Sequence, residues 1–200
     1  MKDKIVINIG YSNAGTTSLN EALILLGYSS IHDGWGIYKE DNALELHERL
    51  VPFYDNLSND RNIFHGFISR YNAFTAAPTT DSSILESIIE QYPKAYYIYT
   101  KRNHRDRYKS VSKRTKRSYR GRWPAGEWKK IRLHDWIKEQ KGTDVYIDNV
   151  LKNNLDLNVL EFNICDGGDG WNELCTFLNE EIPNVNFPHL NKNVRRKDNK

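Results

Sequence analysis

The feature that most constrains this chain is a strand that runs into a glycine turn and then a helix. Lys4 to Ile9 is apolar and β-branched at Ile5, Val6, Ile7 and Ile9, and Gly10 ends it. From Thr16 onward, leucines recur at 19, 23 and 26, and Gly27 sits where a helix stops. Between them lies Gly10-Tyr11-Ser12-Asn13-Ala14-Gly15-Thr16-Thr17-Ser18. Glycines let a backbone turn tightly and aim N–H groups at an anion, and a helix N-terminus adds its dipole. Gly10, Gly15 and Thr17 match the phosphate-loop pattern GxxxxGK(S/T), but Thr16 stands where lysine belongs. A nucleoside-triphosphate enzyme needs that lysine at the β- and γ-phosphates. The loop therefore predicts a phosphate site with a smaller load. An ordinary strand–turn–helix is the alternative at this point.

Strand and helix patterns alternate through the rest of the chain. Strands are expected at Tyr28 to His32, Asn62 to Ile68, Ala95 to Thr100 and Leu157 to Phe162. Helices are expected at Asn42 to Tyr54, Asp81 to Gln91, Arg105 to Ser118, Trp128 to Lys141, Val145 to Asn153 and Gly170 to Leu178. This order predicts an α/β, three-layer fold of phosphate-loop type, a parallel sheet of about 4–5 strands flanked by helices. Residues 1–200 read as a single domain, with no repeat and no linker. Ligands in such sheets bind beyond the carboxyl ends of the strands. The residues after Ile9, Ile31 and Thr100 are the ones to inspect.

Charge is unevenly spread. Residues 101–141 carry 16 Lys/Arg against 4 Asp/Glu, a net of +12, on a body whose remaining residues are net acidic. Such a block faces an anionic partner or is a solvated helical surface. Tyr119, Trp123, Trp128 and Trp136 interleave with its cations, which suits acidic glycans or stacked rings. Trp128 and Trp136 are eight apart on one helical face and read as core. Only Cys165 and Cys175 are present, without metal-ligand spacing, and no apolar run is long enough to span a membrane. The N-terminus lacks the long apolar stretch of a signal peptide. The expectation is a soluble, cytoplasmic protein with no metal.

The strand Tyr96 to Thr100 leads into Arg102, and Ser110 lies eight residues on, in the next helix. An Arg fork and a hydroxyl can bind a phosphate together. With this second candidate site, the chain resembles the small soluble branch of the P-loop sulfotransferases. Their donor is PAPS, 3′-phosphoadenosine-5′-phosphosulfate. That branch opens with a pattern like GxxKTGTTSLxxALxxLGY. Here Gly10, Gly15-Thr16-Thr17-Ser18-Leu19, Ala22-Leu23 and Leu26-Gly27-Tyr28 match it. Its later segment YPxAKxILTxRDxxxWxxS is similar to Tyr92-Pro93-Lys94-Ala95 through Thr100, Arg102, Tyr108 and Ser110. Near the end, GWxxLCxFL followed by spaced FP and N matches Gly170-Trp171, Leu174-Cys175, Phe177-Leu178, Phe187-Pro188 and Asn191.

The resemblance implies transfer of a sulfuryl group from PAPS to a hydroxyl or amine, a carbohydrate among the candidates, leaving 3′,5′-ADP. It implies that Ser12, Asn13, Ala14, Gly15, Thr16, Thr17 and Ser18 hold the 5′-phosphosulfate, and that Arg102 and Ser110 hold the 3′-phosphate. It implies no metal. The acceptor would be a small molecule or glycan, with an anionic one favoured by the cationic block and nucleic acid not expected. A P-loop kinase or NTPase is the first alternative, weakened by Thr16. A noncatalytic protein binding polyanions or nucleic acid through 101–141 is the second.

Two departures stand out. The family carries Lys or Arg where Asn13 stands, and the branch often has an Asp before the proline of its Pro loop, where this chain reads Thr75-Ala76-Ala77-Pro78. A neutral Asn13 predicts a slower or altered reaction, with Lys101 the leading substitute cation. Transfer also needs a base for the acceptor proton. His32, after the second strand, is the first candidate, with Asp33 to orient it or act itself; His65 is the next.

Overall fold

A computed structural model describes residues 2–32, 56–66, 70–76, 79–80, 82–118 and 132–190, with backbone alone at 114–118. Among the described residues, the five strands are β1 (Val6–Asn8), β2 (Ser30–Ile31), β3 (Ala73–Phe74), β4 (Tyr96–Thr100) and β5 (Asn158–Phe162). They form one parallel sheet in the order β2-β3-β1-β4-β5. The helices are α1 (Thr16–Leu25), α2 (Leu85–Gln91), α3 (His104–Ser118), α4 (Leu133–Lys152) and α5 (Trp171–Leu178), with a 3₁₀ turn at Ser82–Ile84. This is the predicted α/β architecture.

Parallel strands are covered on both faces, so their apolar residues divide by parity. Ile7 of β1, Phe74 of β3 and Tyr97 and Tyr99 of β4 face a core with Leu85 and Ile88 of α2 and Ile147 and Val150 of α4. Val6, Ala73, Ile98 and Phe162 face the opposite core, with Leu19 and Leu23 of α1 and Trp171, Leu174 and Leu178 of α5. Trp136 is buried, as its spacing predicted. Gly27, at φ 85°, ends α1 in the left-handed conformation that glycine adopts without strain.

Two elements differ from the sequence reading. The third strand is Ala73–Phe74, not 62–68. Ile63 and Phe64 are fully buried, but in a turn that plugs one face of the sheet. The Ile63 N–H donates to Gln91 Oε1 at 2.7 Å, and the Phe64 ring stacks 3.9 Å from that of Phe74. An apolar run marks burial, and here side-chain bonds replace the ladder. The expected pair of helices around Gly142 is one helix, α4. Trp136, Gln140, Ile147 and Val150 form one buried stripe that continues past Gly142. That packing outweighs the roughly 1 kcal/mol a mid-helix glycine costs. The expected helix at 42–54 lies outside the described residues.

Candidate functional site

The carboxyl ends of β1, β3 and β4 are joined by one side chain. Asn8 Nδ2 donates to the Thr75 carbonyl at 2.9 Å, and its Oδ1 accepts from Gly10 N–H at 3.2 Å and Thr100 Oγ1 at 3.1 Å. Gly10 then passes so close to β4 that a Cβ would stand 2.3 Å from Thr100 N. Past this point the chain turns through Asn13 (φ 62°) and Gly15 (φ 92°) into α1. A Cβ on Gly15 would also press on Ile164 at 3.1 Å. Gly15 is the N-cap residue of α1, and among the described residues no side-chain hydrogen bond caps the helix. Its first N–H groups are thus left for a ligand.

One flank of this loop is held by α3 and α4. Arg102 Nη1 donates to the Asn13 carbonyl and Arg107 Nε to the Ser12 carbonyl, each at 2.8 Å. Among the described residues, Arg102 Nε is buried without a hydrogen-bond partner. Arg107 is buried against the Tyr11 ring (4.2 Å) and the Trp136 ring (5.0 Å), and burial lowers its pKa to about 10. Asp144 of α4 accepts from Tyr11 OH (2.6 Å), Tyr99 OH (2.8 Å) and His104 Nε2 (2.8 Å). Burial pushes both phenols far above their ordinary pKa, and the Asp144 carboxylate adds to that. A cavity of about 250 Å³ beside the network is lined by Tyr11, Arg102, His104, Asp144 and Asn163.

The other flank, among the described residues, is built from hydroxyl, amide and imidazole groups. His32 Nε2 lies 3.1 Å from Thr16 Oγ1 at the head of α1. One turn further along α1, Asn20 Oδ1 accepts from Ser30 Oγ (2.9 Å) and Thr75 Oγ1 (3.2 Å). This ties β2, which leads into His32, and the end of β3 to the helix.

The sequence-predicted residues fall as follows. Ser12 through Ser18 form the turn and the first turn of α1, with Ala14, Thr16 and Ser18 buried. Ser18 Oγ accepts from the Leu190 N–H at 2.9 Å. Arg102 reaches the loop, and Ser110 sits half-buried in α3. His32 is beside Thr16, while His65 lies exposed in a turn. Asp33, Pro78, Tyr119, Trp123, Trp128 and Asn191 lie outside the described residues. Lys101 lines the cavity beside Tyr11, and its Nζ bonds Glu161 Oε1 at 2.7 Å and lies 4.6 Å from the Tyr99 ring centre. Among the described residues, no group of three His, Cys, Asp or Glu could hold a metal ion.

Asn8, Arg107, Asp144 and Asn20 escaped the sequence reading. An asparagine ending an apolar strand was the available signal for Asn8. The other three read as ordinary polar helix positions.

An uncapped helix behind a left-handed turn, with guanidinium groups alongside, can bind a tetrahedral anion. The family model described as "Sulfotransferase domain" matches residues 5–195. The chain belongs to this family. Sulfuryl transfer is therefore the general chemistry of this sulfotransferase domain. A search of curated proteins found no match. No helix among the described residues of the sulfotransferase domain is long and apolar enough to cross a membrane.

Proposed function

We propose that this protein moves a sulfuryl group from PAPS to a hydroxyl or amine acceptor. The observation that carries the reading is the uncapped head of α1 with the His32 imidazole 3.1 Å from the Thr16 hydroxyl. PAPS, when bound, supplies the activated sulfuryl group. The residues of this chain fit it at two points. The N–H groups of the turn and the hydroxyls of Thr16 and Thr17 receive the 5′-phosphosulfate end. The partnerless Nε of Arg102, with the Ser110 hydroxyl, receives the 3′-phosphate. Such a site asks for phosphates at both ends of one ribose, which ATP lacks.

His32 takes the acceptor proton, and its neighbour Thr16 keeps the imidazole at the donor end of the loop. Arg105, Lys109 and Lys113 are exposed and four residues apart on α3, so they share one helical face. That stripe favours an anionic acceptor, and a glycan presents both hydroxyls and charge. The whole chain acts as one domain.

Thermal shift with 3′,5′-ADP, ATP and a heparin-like polymer tests the reading. Stabilisation by 3′,5′-ADP above ATP is expected, together with label transfer from radiolabelled PAPS. Preference for ATP would move the protein to the kinases, and response to the polymer alone would leave a binding protein.

A further inference from the structure

The loop that receives the donor has no cation of its own. Residues 10–18 are all uncharged. Two guanidinium groups instead stand behind it, on the Ser12 and Asn13 carbonyls at 2.8 Å each. A trans peptide points its C=O and the next N–H in opposite directions. Arg107 therefore backs the Asn13 N–H, and Arg102 backs the Ala14 N–H.

Arg107 is the more telling of the two. Its exposure is 8%, its Nη1 donates to Gln140 Oε1, and two aromatic rings cover it. Among the described residues no carboxylate forms an ion pair with it. Asp144, the carboxylate whose field it feels most, is occupied by Tyr11, Tyr99 and His104. Burying a cation without a paired anion is costly, and the cost is recovered when an anion arrives. With a pKa near 10 the group stays protonated at neutral pH.

We propose that Arg107 is a positioning residue of the donor site, holding the Ser12–Asn13 peptide with its N–H towards the phosphosulfate and supplying, through that peptide, the positive charge that Asn13 does not carry. This rests on the reading of the loop as the 5′-phosphosulfate site. Linked hydrogen bonds polarise one another, and a low dielectric strengthens the chain from guanidinium to carbonyl to N–H to anion. The same contact explains how Asn can occupy position 13. Its φ of 62° is a conformation that asparagine tolerates well, and the cation has moved elsewhere.

The test is titration calorimetry of pyrophosphate, 3′,5′-ADP and adenosine 3′-phosphate on the wild type, Arg107→Gln and Arg107→Lys. Arg107→Gln is expected to weaken the first two by about tenfold or more, a loss of about 1.4 kcal/mol. Arg107→Lys should recover part of that loss, and adenosine 3′-phosphate should bind all three proteins alike. Unchanged pyrophosphate binding in Arg107→Gln, or equal damage in both variants, overturns the proposal. Pyrophosphate binding that depends on Arg107, without 3′,5′-ADP binding, sinks the PAPS reading and leaves the role of Arg107 standing. A wild type that binds neither ligand refutes both. Should both variants fail to fold, amide shifts of the wild type decide: pyrophosphate must move the Asn13 amide, and a still Asn13 overturns the proposal.

Discussion

The two flanks of the phosphate loop solve different problems with different chemistry. On the β4 side stand charged groups: half-buried Arg102, just before α3, and buried Arg107 of α3 on loop carbonyls, and half-buried Asp144 of α4 bonded to two phenols and an imidazole. On the β2 and β3 side, the uncharged side chains of Asn20, Ser30 and Thr75 are linked by hydrogen bonds, and the His32 ring stands beside the Thr16 hydroxyl. Charge that holds an anion belongs where it can be fixed and desolvated. A group that accepts a proton belongs beside neutral partners, because a fixed cation next to it would oppose its protonation. The loop separates the two.

The strongest blow to the charged flank is Asp144→Ala. It leaves the buried Tyr99 phenol and His104 Nε2 without this acceptor, and Tyr11 with the Gln140 carbonyl at 3.0 Å in its place. A stability loss of about 3 kcal/mol or more is expected from urea unfolding. A loss no larger than that of an exposed variant such as Asp156→Ala would deny that Asp144 organises this flank. On the other flank, His32→Ala should lower kcat at least a hundredfold, about 2.7 kcal/mol, with 3′,5′-ADP affinity nearly unchanged. Full activity in His32→Ala would move the base elsewhere, with His65→Ala the next variant to assay.

Asn20→Ala should be milder. Two hydroxyls lose a shared acceptor, which costs about 1–2 kcal/mol. Since β2 leads into His32, kcat should fall while donor affinity holds, and Asn20→Asp should restore part of it. A change in donor affinity alone would place Asn20 on the wrong side of the comparison.

The smallest effect is in pH. Burial raises the Tyr11 and Tyr99 phenols above their ordinary value of 10.0. In the unfolded chain they ionise near 10, while the fold keeps them neutral, so above that pH the native state binds more protons. Stability must then fall as pH rises. By about pH 9.5 the loss is under ~1 kcal/mol and steepens beyond. Tyr11→Phe and Tyr99→Phe should flatten the alkaline limb; an unchanged limb would show that these phenols ionise in the fold.

Much of the frame is local and therefore legible in residues alone. The β-branched run before Gly10, the small residues of the turn and the leucine spacing of α1 each act within a few positions. Together they specify a strand, a tight glycine-containing turn and a helix. Alternation of such units predicts a parallel sheet, and Arg102 after β4 marks the second phosphate position that we propose.

What tertiary structure decided lies in contacts between distant residues. Arg107 meets Ser12 from 95 positions away, and Tyr11 meets Asp144 from 133 away. No periodicity encodes such pairs: an arginine in a basic helix reads the same whether it faces water or a carbonyl. Ala73–Phe74 pairs as a strand although Ile63 and Phe64 carry the stronger apolar signal. Burial sets residue type, whereas strand pairing depends on which backbone reaches β1 first. The absence of a cation at Asn13 was written in the sequence, while the guanidinium behind it came from packing α3 and α4 against the loop, where desolvation and geometry together fix a charge.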